Sequence, residues 1–506
     1  MRGGRDRAYG DAMTTERVDI AVIGAGFAGI GAAWQLIAHG YDDFAVLERG
    51  DEVGGTWRDN TYPGAACDIR SDLYSFSFAP NPGWSTAYGQ QPEILAYLVR
   101  VSRQHGIRDH IRFGTELQSA TWDGDAGRWL LETSRGAMSA RVLISGHGLL
   151  VDPHRPAIDG LDSFGGPVFH SSQWDHSVDL AGKRVAVIGT GASAIQIVPA
   201  IQPEVGRLLV FQRTPPWIVS RRDHRTSSLR RRLFAGVPAV QRAVRSLIFA
   251  EYDARWLGFV HPRVGAVVER LSTRHRDAQV RDPGLRARLT PDYRIGCKRV
   301  LVSDDYYPAI QRENVDYIDD PIERIEPHAV VTADGRRHPV DVLVLATGFD
   351  ATRPRIADRI VGAHGETLAH AWRDGMFALH AATVPAFPNL FFLHGPNAAL
   401  SHNSVVVMIE AQVRYAIDAL DRMGGAGVDA VAEPTQDAMA RYESGLQRAL
   451  AKGVWTRGGC TSFYLDANGR NTVIWPRSAI AFRRSVRRFD PGEYTITRAA
   501  GPARVP

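Results

Sequence analysis

The sequence predicts an α/β protein built from two Rossmann-like dinucleotide-binding domains, the second carrying a helical insertion. Three observations predict it. A strand, a glycine-rich turn and a helix occur in that order twice. Each unit is followed by a second apolar run that ends at the same offset from its first glycine. A stretch over 221–291 then breaks the second unit with Arg-rich helical sequence. A chain of 506 residues exceeds one ordinary core, which fits two domains.

The bulk composition, 44% hydrophobic and 23% charged, is that of a globular protein. No apolar run reaches bilayer length. Residues 1–12 are polar, lack a signal-peptide core and read as a disordered extension, so a cytoplasmic protein is expected. Cys67, Cys297 and Cys460 form neither a close redox pair nor a metal pattern, and no metal site is expected. The net charge of +5 is mild, and the only lysines are Lys183, Lys298 and Lys452.

The first unit starts with the apolar strand 18–23. Its turn carries Gly24, Gly26 and Gly29, and a helix runs to about 38. A second strand, 44–47, ends in Glu48. The glycines permit a tight turn and close approach of backbone to a pyrophosphate, which the helix N-terminus attracts. Glu48 is placed to accept from a ribose hydroxyl. The second unit repeats this with strand 184–188, a turn and helix start over Gly189, Thr190, Gly191, Ala192, Ser193, Ala194, Ile195 and Gln196, and strand 208–212. Arg213, followed by Thr214, stands where Glu48 stands in the first unit. A carboxylate there repels a 2′-phosphate and a guanidinium attracts it. The first unit is therefore expected to hold FAD and the second NADPH, with hydride passing between them.

Residues 54–68 (GGTWRDNTYPGAACD) and 164–175 (FGGPVFHSSQWD) resemble the motifs of class B flavoprotein monooxygenases of the Baeyer–Villiger type. Residues 346–350 (ATGFD) are similar to the family's second hinge, and 395–410 to its C-terminal flavin-contacting segment. The resemblance spans about 17–480. Two places depart from it: 145–148 reads SGHG rather than an ATG-type hinge, and Phe463 stands where relatives often have Trp.

This resemblance implies a function. Reduced flavin and O2 would form a C4a-peroxide that converts apolar ketones to esters or lactones. N- or S-oxygenation, with a thioether for example, is the alternative; a flavin fold retained only for binding is the third. The resemblance makes Arg299 the active-site cation, with Asp68 as its carboxylate. An arginine stays protonated in such a pocket where a lysine could not. Lys298 is implied as a second 2′-phosphate contact. Thr56, Trp57, Ala66, Cys67, Tyr74, Leu117 and Asn403 are implied cofactor contacts, Leu117 through its backbone at the adenine. His170 and Trp174 are fingerprint residues expected at a hinge, and the links at 145–148 and 346–348 are expected to let the domains move.

The expected domains are 13–150 with 386–506 for FAD, 151–220 with 292–385 for NADPH, and 221–291 as the insertion. The insertion, with basic helices and apolar stretches such as 233–249, admits at most a peripheral membrane contact. Nothing in the chain resembles a nucleic-acid-binding module.

Overall fold

The computed structural model describes residues 16–424 and 430–498. The extension expected over 1–12 lies outside them. Two sheets organise the chain. In the first, strand Glu16–Ile23 lies between Phe44–Leu47 and Gly136–Ser145, all parallel, with Ile111–Arg112 beyond Phe44–Leu47. The four residues Phe44–Leu47 are all buried, as strands covered on both faces must be. Arg128–Thr133 and Leu117–Asp123 extend this sheet antiparallel to Gly136–Ser145. The chain returns later to add Leu390–Phe392, parallel to Gly136–Ser145. Helix Phe27–Ala38 packs between the sheet and the long helix Val405–Gly424, closing a core that includes Ile20, Leu36, Phe76, Tyr97 and Met408.

The second sheet has five parallel strands in the order Val315–Ile318, Arg207–Phe211, Arg184–Ile188, Val342–Leu345, Val168–His170. Helix Ala194–Ile201 covers one face through Ile197, Val198 and Ile201. Three antiparallel strands, Ile322–Glu326, Ala329–Thr332 and Arg337–Pro339, flank it.

One boundary falls elsewhere than expected. Strand Ile360–Val361, inside the stretch 292–385 assigned to the second unit, pairs with Leu117–Asp123 of the first sheet. Ala357, Leu368, Trp372 and Met376 join the same core as Trp129 and Leu143. The chain therefore crosses back near 346–350, well before 386. Apolar residues after the ATG-type link are buried on the first sheet's outer face, and burial rather than motif position fixes the crossing.

The insertion holds helices Ser228–Gly236, Pro238–Ala254, Leu257–Val260, Pro262–Gln279 and Pro283–Arg288. Its neck is a parallel pair, Ile218–Val219 with Leu301–Val302. Among the described residues no single helix is long and apolar enough to cross a membrane.

Candidate active site

Both glycine turns have the geometry that their sequence demands. Gly24 has φ +86°, and a Cβ on Gly29 would lie 1.7 Å from the Gly24 carbonyl oxygen, so only glycine lets this helix seat on its turn. Gly26 faces the backbone of Gly54 and Gly55, whose N–H and Cα complete the cradle. The helix behind has no side-chain cap on its N-terminus and no acid in its first turn. The same holds at Ser193 for helix Ala194–Ile201. Both ends thus keep their first N–H groups for an anion, which is the fit that a pyrophosphate requires.

Glu48 is buried beneath the first turn. Its carboxylate accepts from the N–H groups of Ala25 and Gly50, each at 2.8 Å, and from Arg58 at 2.6 Å. Arg58 was missed as a site residue, although it lies inside the GGTWR motif. Burial lowers its pKa, but hydrogen bonds to Asp59 and Glu48 outweigh this and leave the guanidinium firmly charged. Thr56 opens the short helix Thr56–Asp59. Trp57 donates its indole N–H to the Tyr74 hydroxyl at 3.0 Å, and burial pushes the Tyr74 phenol up. Leu117 is placed less directly: its carbonyl accepts from Arg359, while the N–H of Thr115 reaches the Glu48 carbonyl. Asn403 is buried at the start of helix Val405–Gly424, where its amide faces Asp253 of the insertion at 3.4 Å.

Thr190 donates to the Thr214 carbonyl at 3.1 Å, drawing the second turn to the strand end that carries Arg213. Nothing lies within 4 Å of a Cβ built on Gly191, and 191–193 lie at the surface while Thr190 is buried beneath them. Ala194 and Ile195 are buried in the helix start. Lys298 comes to Arg213 from the other side of the insertion. Burial pushes the Lys298 ammonium down, and the repulsion of Arg213 adds to it. Two cations brought together this way suit a dianion such as a 2′-phosphate.

Gln196 joins the two units. Its amide takes the Tyr62 hydroxyl at 2.9 Å and donates to the Ala66 carbonyl at 3.0 Å. The 54–68 motif is thereby held against the second turn's helix, and Gly64, where a Cβ would meet the Gln196 carbonyl oxygen at 2.6 Å, allows the approach. Cys67 is buried and burial pushes its thiol up, so it is an inert wall residue.

Asp68 and Arg299 meet across this junction, with the Arg299 Nε donating to the carboxylate at 2.8 Å. The Asp68 charge raises the arginine's pKa above its ordinary value against the opposing effect of burial. About a third of the Arg299 side chain remains exposed, so the cation faces an accessible space as well as its partner. Residues of the insertion and of the C-terminal segment form the wall beyond. Phe259 stacks on Trp455 at 5.5 Å between centroids, Trp455 donates to Ser401, and Tyr464 is fully buried beside Arg299 and Ser401. A disulfide joins Cys297 to Cys460.

The two links between domains run side by side. The His154 N–H donates to the Gly348 carbonyl and the Asp350 N–H to that of Asp152, each at 2.9 Å. His170 packs edge-on against Phe349, caps the turn Ser171–Gln173 and is depressed in pKa by burial. Trp174 packs on Phe169 in the second unit's core.

A flavin-binding monooxygenase-like family model matches residues 17–230. A Baeyer–Villiger monooxygenase of Streptomyces coelicolor is 48% identical over 97% of this chain and 94% of its own length. The chain belongs to the Baeyer–Villiger monooxygenases. Another member, from Pseudomonas aeruginosa, is 44% identical over 94% of this chain and 91% of its own. Among solved structures, OTEMO in complex with FAD and NADP matches with a TM-score of 0.86 at 27% identity, covering 96% of this chain and all of that one. The Baeyer–Villiger fold thus extends over the insertion and the C-terminal segment, beyond the stretch that the family model matches.

Proposed function

We propose that the Asp68–Arg299 pair is the catalytic centre of this FAD- and NADPH-dependent Baeyer–Villiger monooxygenase, and that its substrate is an apolar ketone. The ion pair at the junction of the two dinucleotide units carries the reading. FAD, when bound, supplies the redox chemistry by which NADPH and O2 are used. The protein's own groups do the rest. The Gly24–Gly29 turn and Glu48 hold one dinucleotide; the 190–194 turn, Arg213, Thr214 and Lys298 hold the other. Asp68 fixes the orientation of Arg299. The guanidinium then stabilises negative charge as the substrate's carbonyl carbon becomes tetrahedral. Its permanent charge matters here, because a base at that place would be neutralised by burial. Phe259, Trp455 and Tyr464 exclude water and present an apolar, aromatic wall to the substrate.

Purified protein is expected to oxidise NADPH faster than NADH and to release esters or lactones from a panel of linear, cyclic, aromatic and steroidal ketones. Arg299→Ala should abolish these products while FAD stays bound. Heteroatom oxides from thioethers or amines, with no ester from any ketone, would replace the ketone reading by N- or S-oxygenation.

A further inference from the structure

Tyr464 poses a question that the cofactor sites do not answer. Its ring is 1% exposed and its hydroxyl is buried without a hydrogen-bond partner of normal geometry. It faces the Arg299 guanidinium and the Ser401 hydroxyl. The Ser401 hydroxyl is the near acceptor but makes no hydrogen bond of normal geometry with it, and a buried phenol held this poorly costs stability unless a ligand oxygen completes it. What keeps it there is a strap, residues 453–464, laid across the segment 294–299. The Arg294 N–H donates to the Gly458 carbonyl at 2.9 Å. A Cβ on Gly458 would lie 2.6 Å from the Cys297 Cβ, so strap and segment touch backbone to side chain. Gly296 receives Phe259 and Val454 in the same way, at 2.8 and 3.1 Å from a built Cβ. The covalent part of this contact is Cys297–Cys460, with Cα atoms 6.1 Å apart and a sequence separation of 163. Cys297 is two residues before Arg299, and Cys460 four before Tyr464.

We propose that the Cys297–Cys460 disulfide is a positioning bond of the active site, holding the Tyr464 hydroxyl at Arg299 so that the two meet the substrate oxygen together. This rests on Arg299 being the active-site cation. Asp68 restrains the guanidinium from the first domain and the strap restrains its other surroundings, and only the strap's restraint is redox-sensitive. Formation of the bond is balanced with a peroxide as oxidant. One thiolate attacks a peroxide oxygen and expels water or an alcohol, giving a sulfenic acid; the second thiol displaces water from that sulfur. A dithiol reverses the bond, leaving two thiols and its own disulfide. Cys460 is only partly buried, which gives the dithiol access.

The test uses the FAD-loaded enzyme and reads coupling, the ester formed per NADPH consumed. Denatured without reductant, the protein should show one free thiol, Cys67, and after reduction all three cysteines of the sequence. Cys297→Ala/Cys460→Ala, and separately wild type treated with dithiothreitol, should keep FAD and NADPH-dependent reduction but lose coupling by on the order of 100-fold, the scale of a displaced catalytic group. Reoxidation with glutathione disulfide should restore the wild type alone. Tyr464→Phe should show the same loss with the disulfide intact. Unchanged coupling in the reduced wild type, or three free thiols in the untreated protein, would overturn the proposal; if the double variant fails to fold, the reduced wild type decides. Loss of all product in Arg299→Ala tests the parent reading separately: were that variant active, the site itself would be misassigned, whatever the cysteines do.

Discussion

On the proposed reading, Arg213 and Lys298 together separate two chemically similar cofactors, NADPH and NADH. Removing the guanidinium should weaken NADPH by about 10- to 100-fold, the worth of a charge-assisted hydrogen bond of roughly 1.5–3 kcal/mol, and leave NADH nearly unchanged. The ratio of their KM values for Arg213→Ala measures this. Lys298 adds a pH dependence. Its ammonium is pushed down by burial and by Arg213, so it loses its proton at lower pH than an ordinary lysine. NADPH affinity should therefore fall as pH rises through that lowered value, and Lys298→Arg should flatten the dependence; isothermal titration across alkaline pH reads it. These two residues also mark what sequence reasoning can and cannot reach. The places of Glu48 and Arg213 just past their strands were legible because the glycine turns fix where each second strand ends. Arg58 and Tyr464 were not, because their partners lie across turns or at the far end of the chain. The cysteines say this most plainly: no spacing rule connects positions 163 residues apart.

Among the elements, the two turn–helix units were readable almost to the residue, since steric demands on glycine leave few alternatives. Gly29→Ala would force a Cβ against the Gly24 carbonyl oxygen at 1.7 Å, and the helix must shift off its turn. Such protein should purify with little flavin, seen as a collapsed absorbance ratio at flavin and protein wavelengths. The links behave differently, since the groups packed around them were unforeseen. His147 is buried in the 145–148 link and burial pushes it down to about 4; His394 is pushed down to about 4 by burial with His147 adding. Both are neutral in the fold and titrate near 6.5 when unfolded, so the unfolded chain binds more protons between those values. Stability should drop as pH falls from about 6.5 to about 4, by less in His147→Asn. Thermal melting over that range tests the sign. His170, likewise depressed by burial and packed on Phe349, is proposed as a hinge support rather than an acid; His170→Ala should then lower turnover without removing an ionisation from the pH–rate profile.

For the whole molecule, charge is distributed unevenly. Residues 221–291 hold 16 arginines against 6 acidic residues, whereas the entire chain carries +5. The same lobe exposes Leu229 at 76% and Leu247 at 71%, with Val267 and Leu271 on a neighbouring helix. Basic helices with bare apolar side chains favour anionic lipid surfaces. If the lobe makes the peripheral contact that its sequence admits, the protein should sediment with vesicles containing anionic phospholipid at low salt, release as salt rises and ignore purely zwitterionic vesicles, and Leu229→Glu/Leu247→Glu should abolish retention without changing NADPH oxidation; no sedimentation at low salt assigns the lobe to solvent. The two-domain plan was legible because each domain repeats a local motif. The crossing back to the first sheet before 360 was not, since it depends on which apolar face is left uncovered.

The neck at Ile218–Val219 and Leu301–Val302 gives the molecule a natural seam. Because both strands of the pair stay anchored in the nucleotide fold, the lobe between them can vary in length at small entropic penalty. Descendants of such a scaffold could exchange the helices between Ser228 and Arg288 as a cassette and so acquire new substrates, while the Gly24–Gly29 and 190–194 turns descend unaltered. The price is that any new lobe must still deliver Lys298 and Arg299 at its exit, Arg299 only two residues before Leu301.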